Sequence, residues 1–131
     1  MARLLLRNTQ MKTVIISNDN ELINIIKNLK IIPENQLGIY SDTPDSLEIM
    51  SHVCTEHPNT LIIDDDFTKP NSAHVLSAIR KVNNNLKIVF ISSDSSVELG
   101  REVSQVGLLY HAVKPVDKEE FNDLIHSINK Q

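Results

Sequence analysis

The segment HPNTLIIDDDF, residues 57 to 67, decides the fold of this chain. Its centre, Thr60 to Ile63, is an apolar run without the polar alternation of a half-exposed strand. Such a run is typical of a strand that is buried on both faces in the middle of a parallel sheet. Three aspartates, Asp64, Asp65 and Asp66, follow it directly. The segment therefore predicts a central strand that ends in a cluster of carboxylates.

Four further short apolar runs lie on either side of this strand and alternate with segments of helical periodicity. They are Thr13 to Ser17, Leu37 to Tyr40, Ile88 to Ile91 and Leu108 to Val113. Strands that alternate with helices in this way form parallel sheets that are covered by helices on both faces. We therefore predict an α/β fold over residues 11–131, built on a doubly wound five-stranded parallel sheet.

The helical segments carry their own start and stop signals. Thr43 is a predicted N-cap, Gly107 is a predicted C-cap, and Asp117 opens a capping box before the last helix. In the second helix the expected buried stripe consists of Leu47, Met50, Val53 and Cys54. We expect Cys54 to be a small buried side chain rather than a reactive thiol.

Length and charge restrict the possible functions. The 131 residues fit one domain, and we interpret residues 1–10 as a leader segment outside the fold. The formal net charge is −4 and no run of lysines and arginines occurs, so we expect no direct contact with nucleic acid. No apolar stretch approaches the roughly 20 residues of a membrane span, and the single cysteine cannot form an internal disulfide. These features predict a cytoplasmic protein that does not enter the membrane.

The residues at the predicted carboxyl ends of the strands are the candidates for chemistry, because open parallel sheets bind their ligands at this edge. They are Asn18-Asp19, Asp64-Asp65-Asp66, Ser92-Ser93 and Lys114-Pro115. Such a set suits phosphoryl transfer to a carboxylate. Mg²⁺ prefers oxygen ligands, and lysine and serine donate hydrogen bonds to phosphoryl oxygens. Asp19 and one aspartate of the third strand are the predicted Mg²⁺ ligands.

Almost the whole chain resembles the receiver domains of response regulators. The phosphoacceptor of that family ends a strand that a proline often introduces, and the segment from Pro58 to Asp64 looks like this pattern. In this register the apolar helix residues within 75–79 fall at the family's usual offsets. A rival register takes Pro70 as the proline that often follows the acceptor by four residues; it selects Asp66 but forces a deletion in the helix. The resemblance favours Asp64 and implies the flavodoxin-like receiver topology.

Three further positions resemble functional positions of the family. Lys114 with the following proline looks like the family's Lys-Pro pair, and Ser92 matches its Ser/Thr position. The resemblance implies that both hold the phosphoryl group. His111 stands where the resemblance implies an aromatic switch residue that turns inward on activation. A partly exposed strand histidine without a switching role is the alternative for His111.

The first strand departs from the family at one position. Asn18 stands where an acid is usual, whereas Asp19 matches the acid that contacts the metal directly. The resemblance implies that Mg²⁺ is held by Asp19, Asp64 and the backbone carbonyl of Asp66. The departure at Asn18 puts the strength of metal binding in question.

The resemblance also implies a function and a set of partners. The chain would be a phosphoacceptor rather than an enzyme, and would take a phosphoryl group from a histidine kinase or a phosphotransfer protein. Phosphorylation would change the surface made by the fourth helix, fifth strand and fifth helix. That surface would contact a downstream effector or output domain, or a second copy of the chain in a homodimer.

Two alternatives stay open from the sequence. A degenerate receiver would keep the fold and act as a phosphorylation-independent binding adaptor. The other is a haloacid-dehalogenase-type phosphohydrolase, because Asp64-Asp65-Asp66-Phe67-Thr68 resembles the D-x-D-x-T motif, with Asp64 as nucleophile and Asp66 as general acid/base. That motif normally follows the first strand of its fold, whereas here it follows the third.

Overall fold

The computed structural model describes residues 11–129, so the predicted leader segment, residues 1–10, lies outside the described residues. Five parallel strands form one sheet in the order β2-β1-β3-β4-β5. The strands are β1 Thr13–Ile16, β2 Leu37–Tyr40, β3 Thr60–Asp64, β4 Lys87–Ser92 and β5 Tyr110–Val113. The predicted doubly wound α/β fold is confirmed, and the aspartate-bearing strand β3 is its central strand.

Five helices cover the two faces of the sheet. They are α1 Asn20–Leu29, α2 Ser46–Glu56, α3 Ser72–Val82, α4 Val97–Ser104 and α5 Lys118–Asn129. A single helical turn, Asp65–Thr68, follows β3, and a short 3₁₀ helix, Glu34–Gln36, precedes β2. Helices α1 and α5 pack on one face, whereas α2, α3 and α4 pack on the other.

The sequence of β3 explains why the sheet forms a core on both faces. Leu61 and Ile63 point towards α2 and α3, whereas Ile62 points towards α1 and α5, and all three side chains are fully buried. Burial of each such side chain contributes roughly 1.5–3 kcal/mol relative to exposure. Because successive strand side chains face opposite sides, the residue that follows Ile63 returns to the α1 and α5 side. This alternation fixes the direction in which Asp64 leaves the sheet.

The prediction for the second helix is wrong in two respects. The N-cap of α2 is Asp45, whose side chain accepts a hydrogen bond from the backbone of Glu48, and not Thr43. The buried stripe contains Ile49 and Val53, whereas Leu47 is 79% exposed and Cys54 is also exposed. Only Met50 and Val53 of the predicted stripe pack against the core.

The connection between α4 and β5 also differs from the prediction. Helix α4 ends at Ser104 and its C-cap is Gln105, so Gly107 is not the cap. Gly107 has a φ of +76° in the turn that leads to β5, where a side chain would strain the backbone. Strand β5 therefore begins at Tyr110 rather than at Leu108. At α5 the capping role of Asp117 is confirmed, because its side chain accepts hydrogen bonds from the backbone N–H groups of Glu119 and Glu120.

The Arg80 guanidinium ties together two turns at the amino-terminal edge of the sheet. Its Nη1 donates to the carbonyls of Asn83, Asn84 and Leu86, which lead from α3 into β4. Its Nε donates to Val106 and its Nη2 to Gly107, in the turn before β5. Over residues 11–129, no helix is both long and apolar enough to cross a membrane.

Candidate functional site

The carboxyl ends of β1, β3 and β5 bring four predicted site residues together. Asp64 ends β3, Asp19 caps α1 just beyond β1, and Lys114 follows β5. The Lys114 ammonium lies 2.8 Å from Asp19 Oδ2 and 3.0 Å from both Asp64 Oδ2 and Asp66 Oδ2. One cation thus contacts three carboxylates. The expectation that the strand ends converge is confirmed for Asp19, Asp64, Asp66 and Lys114.

Asp64 is the innermost member of the site, with a side chain that is 1% exposed. Its Oδ2 accepts hydrogen bonds from Ser17 Oγ at 2.6 Å and from Lys114 Nζ at 3.0 Å. Its Oδ1 accepts a bond of 3.0 Å from the backbone N–H of Asp66, so Asp64 caps the helical turn that follows β3. These donors stabilise a charged carboxylate whose position is fixed by strand, turn and lysine together.

Lys114 remains an ammonium because of this carboxylate cluster. Burial alone would lower the pKa of Lys114, but the hydrogen bonds to Asp19, Asp64 and Asp66 hold that pKa well above its ordinary value. The same contact acts on Asp19, whose pKa is lowered first by the hydrogen bond from Lys114 and then by backbone donors of α1. Asp19 Oδ1 accepts from the N–H groups of Glu21 and Leu22, which leaves Oδ2 for the lysine.

Asp66 is held by donors from two neighbouring strands. Ser93, directly after β4, donates a hydrogen bond of 2.5 Å to Asp66 Oδ2, the same oxygen that contacts Lys114. Lys69 lies 3.7 Å from the other oxygen. Burial would raise the pKa of Asp66, but the Ser93 and Lys114 hydrogen bonds keep it below its ordinary value. The Asp66 carboxylate therefore belongs to the site, in addition to the backbone carbonyl that the family resemblance implied.

The middle aspartate, Asp65, points away from the cleft. Its Oδ1 accepts a hydrogen bond of 2.6 Å from Ser72 Oγ, and Ser72 lies 2.6 Å from Thr68 Oγ1. All three side chains are buried. This hydroxyl chain joins the helical turn after β3 to the first residue of α3. The three adjacent aspartates thus have different environments, and only Asp64 and Asp66 contact Lys114.

Ser92 and His111 form a pair on the opposite face of the sheet from Asp64. Ser92 Oγ donates to the carbonyl of Asp94 at 2.7 Å and lies 3.0 Å from His111 Nε2. A hydroxyl has one hydrogen, so His111 Nε2 must be the donor in the second contact. The imidazole packs edge-on against Phe90, and burial lowers the pKa of His111 against the opposing charges of Asp65 and Asp94. The hydrogen bonds of Ser92 are therefore directed to this pair of partners and not to Asp64.

The donor set of the cleft fits a hard divalent cation. Three carboxylates and one ammonium leave a net charge of −2, which one Mg²⁺ would balance with the oxygen ligands it prefers. Within residues 11–129 no three acidic, histidine or cysteine side chains form a preassembled metal site, since the ammonium lies at the point where the carboxylates meet. Asn18, at the acidic-pair position, is exposed.

Two site residues were not predicted from the sequence. The sequence predicts Ser17 only as the last residue of β1, but its hydroxyl donates a hydrogen bond to Asp64. The sequence places Ser93 beside Ser92 at the end of β4, and its hydroxyl donates a hydrogen bond to Asp66. For Ser17 a signal existed, because a polar residue that directly follows a buried strand is a candidate hydrogen-bond donor.

A cavity of about 250 Å³ lies beside this cluster, between Asp19 and Pro115.

Comparison with known proteins agrees with this geometry. The family model of the response regulator receiver domain matches residues 13–126. Sporulation initiation phosphotransferase F of Bacillus subtilis (strain 168) is 20% identical over 81 residues, which span 62% of this chain and 65% of that protein. The chain thus covers slightly less than two thirds of this curated relative.

Solved structures show the same fold. A response regulator receiver domain protein (CheY-like) from Methanospirillum hungatei JF-1 superposes with a TM-score of 0.71 at 19% identity, covering 92% of this chain and 94% of that one. A response regulator from Thermotoga maritima gives a TM-score of 0.71 at 15% identity, covering 92% and 99%. The family match covers most of the chain, and the five-stranded parallel topology and the cluster of carboxylates around a lysine agree with it. The chain belongs to the response regulator receiver domain family.

Proposed function

We propose that this receiver domain accepts a phosphoryl group on Asp64 from a histidine kinase or a phosphotransfer protein. The observation that carries the proposal is the contact of the buried Asp64 carboxylate with Lys114, next to Asp19 at the carboxyl edge of the sheet. Asp66 has the same lysine contact, but it lies beyond the strand, on the helical turn. Asp64 is therefore the better-positioned acceptor of the two.

In the proposed transfer an Asp64 oxygen attacks the phosphorus of a phosphohistidine. The new O–P bond forms as the P–N bond breaks, and the departing imidazole takes a proton from solvent. Lys114 would hold an oxygen of the phosphoryl group, and Ser17 would keep the carboxylate oriented. Asp19, Asp64 and the backbone carbonyl of Asp66 would hold Mg²⁺, which when bound neutralises charge on the acceptor and the phosphoryl oxygens.

The Ser92 and His111 pair supplies a switch in this proposal. To hold the phosphoryl group, the Ser92 hydroxyl would turn from the Asp94 carbonyl towards a phosphoryl oxygen, and this movement of Oγ would lengthen its contact with His111 Nε2. The repacking of His111 would shift a pre-existing equilibrium at the surface of α4, β5 and α5. Tyr110 and Val113 of β5 are at least two-fifths exposed there, which suits contact with an effector or a second copy of the chain.

Similarity to sporulation initiation phosphotransferase F supports a place in a phosphorelay. A cytoplasmic location, consistent with membership of the receiver domain family, is part of the proposal. The proposal makes the chain an acceptor rather than an enzyme with repeated turnover. The phosphohydrolase alternative lacks comparable support, because the receiver family model covers residues 13–126 and the acidic motif follows β3, the third strand along the chain. No nucleic-acid partner is proposed.

The proposal is tested by intact-mass measurement after incubation with acetyl phosphate and Mg²⁺. Wild type and Asp66→Asn are expected to gain one phosphoryl mass, whereas Asp64→Asn is expected to gain none. If labelling is lost in Asp66→Asn and kept in Asp64→Asn, the result would show that Asp66 is the phosphoacceptor. Circular dichroism of each variant checks that the fold is retained.

A phosphorylation-independent adaptor is the second candidate, favoured by the exposed Asn18 at the acidic-pair position and by the ammonium at the centre of the carboxylates. An adaptor would gain no phosphoryl mass with any of several donors and metals. It would also bind its partner with equal affinity in the presence and absence of beryllofluoride, which imitates an acyl phosphate. A receiver switch predicts a change in that affinity.

A further inference from the structure

Asp66 binds Lys114, the cation that a phosphoryl group on Asp64 would need, and Ser93, the residue next to Ser92, which is proposed to hold the phosphoryl group. We propose that the Asp66 carboxylate occupies the position of a phosphoryl oxygen in the unphosphorylated protein and restrains phosphorylation until it is displaced. This inference rests on the proposed acceptor role of Asp64. It assigns Asp66 a regulatory role, as an internal competitor for the site.

The first observation is the identity of the two donors. Asp66 Oδ2 accepts from Ser93 Oγ at 2.5 Å and lies 3.0 Å from Lys114 Nζ. A phosphoryl oxygen on Asp64 would need the Lys114 ammonium, and Ser93 stands directly beside Ser92, the hydroxyl proposed to hold the phosphoryl group. Ser93 has one hydrogen to donate, and Asp66 holds it. A second anion cannot accept that hydrogen bond while the first remains.

The second observation is the difference in solvent exposure among the three carboxylates. The Asp64 side chain is 1% exposed, whereas Asp66 and Asp19 are 28% and 30% exposed. The partners of Asp64, including Lys114 and the Asp66 backbone, cover it. An incoming donor therefore meets the two outer carboxylates before it reaches the acceptor, and Asp66 is the one bonded to both Lys114 and Ser93.

The third observation links Asp66 to the backbone around the acceptor. Asp66 belongs to the helical turn whose N–H group bonds to Asp64 Oδ1, and the same turn connects through Thr68 and Ser72 to α3. Displacement of the Asp66 side chain would act on this turn. If Asp66 loses its contacts with Lys114 and Ser93, the change can therefore be passed from the proposed acceptor, Asp64, through this turn to the start of α3.

The inference is tested by the rate of labelling with acetyl phosphate and by the affinity for beryllofluoride, both at Mg²⁺ concentrations that saturate each variant. Asp66→Ala is expected to raise both by about fivefold, the equivalent of one partly exposed charge contact, and Asp66→Asn by a smaller factor. The matched control is Glu21→Gln, which removes a charge beside the same cleft without a contact to Lys114. It should change both quantities by less than about twofold.

Two results would overturn the inference. One is an Asp66→Ala protein that labels at the wild-type rate or more slowly. The other is an equal acceleration in Glu21→Gln, which would show that general charge repulsion is responsible. Failure of the proposed function is recognised separately, because Asp64→Asn would then label as wild type does. Labelling restricted to Asp64 with no effect of Asp66→Ala would reject the restraint alone.

Discussion

Ser17 Oγ donates a hydrogen bond of 2.6 Å to Asp64 Oδ2, and both residues are completely buried. The parallel pairing of β1 with β3 places them opposite each other, since Ile16 pairs with Ile63 one position earlier. Asp64 thus accepts hydrogen bonds from a donor on the neighbouring strand as well as from the lysine that follows β5. The serine at this position thereby orients the Asp64 carboxylate.

Substitution of Ser17 by alanine should therefore weaken the fold as well as the site. We expect Ser17→Ala to lower the free energy of unfolding by about 1–3 kcal/mol, because a buried carboxylate oxygen loses a donor. Urea denaturation measures this change. Ser95→Ala, at an exposed loop position, is the control and should remain within about 0.5 kcal/mol of wild type. Equal stability of Ser17→Ala and wild type would contradict the prediction.

Lys114 should be energetically coupled to Asp64. We expect Lys114→Met to lower the free energy of unfolding by about 3 kcal/mol, because it leaves a buried carboxylate without its cation. The Lys114→Met/Asp64→Asn double variant should lose less than the sum of the two single variants, by about 1–2 kcal/mol in a double-mutant cycle. Additive losses would show that the contact carries no net energy.

His111 should make stability depend on pH. Burial lowers the pKa of His111 in the folded protein below its ordinary value of 6.5. Between that lowered pKa and pH 6.5, the unfolded chain therefore binds more protons than the folded one. The His111 contribution is thus unchanged above pH 6.5 and becomes destabilising as pH falls from 6.5 through the folded pKa. As pH falls through this range, the free energy of unfolding of wild type should decrease relative to that of His111→Gln, as measured by urea unfolding. A constant difference would exclude the effect.

Arg80 should contribute to stability through the carbonyls that it joins. We expect Arg80→Met to lower the free energy of unfolding by about 2 kcal/mol, because hydrogen bonds from a charged donor to five carbonyls are lost. Arg80→Lys should recover only part of this loss, since an ammonium cannot reproduce the planar arrangement of donors. Full recovery with lysine would show that charge alone is sufficient.

The fold and the outline of the site were predictable because they depend on strand periodicity. A buried parallel strand is a short apolar run, and the residue after it lies at the ligand-binding edge; this located Asp19, Asp64 and Lys114. Which partner each side chain would choose was not predictable. Ser92 and Ser93 are adjacent in sequence but leave β4 in opposite directions, so their partners, His111 and Asp66, depend on packing in three dimensions.

The error in α2 has a similar cause. Residues of a helix follow one another at about 100°, so Leu47 and Cys54 lie well over 90° around the axis from Ile49. The predicted stripe lacks Ile49, the fully buried residue, so its centre lies on a different side of the helix from the side that is buried. Apolar composition does not by itself identify the buried side of a helix with apolar residues on several sides. The orientation of α2 is set by its contacts with the sheet and with α3.

The position of Arg80 bears on how a signal could pass through this molecule. Its guanidinium fastens the turns that lead into β4 and β5, at the edge of the sheet opposite Ser92 and Lys114. The two strands are therefore joined by Arg80 at one end and carry Ser92 and Lys114, the residues of the proposed switch and site, at the other. Because β4 and β5 are also paired up to Ser92 and Val113, and Lys114 donates a backbone hydrogen bond of 2.8 Å to Ser92, the register of the two strands is fixed at both ends.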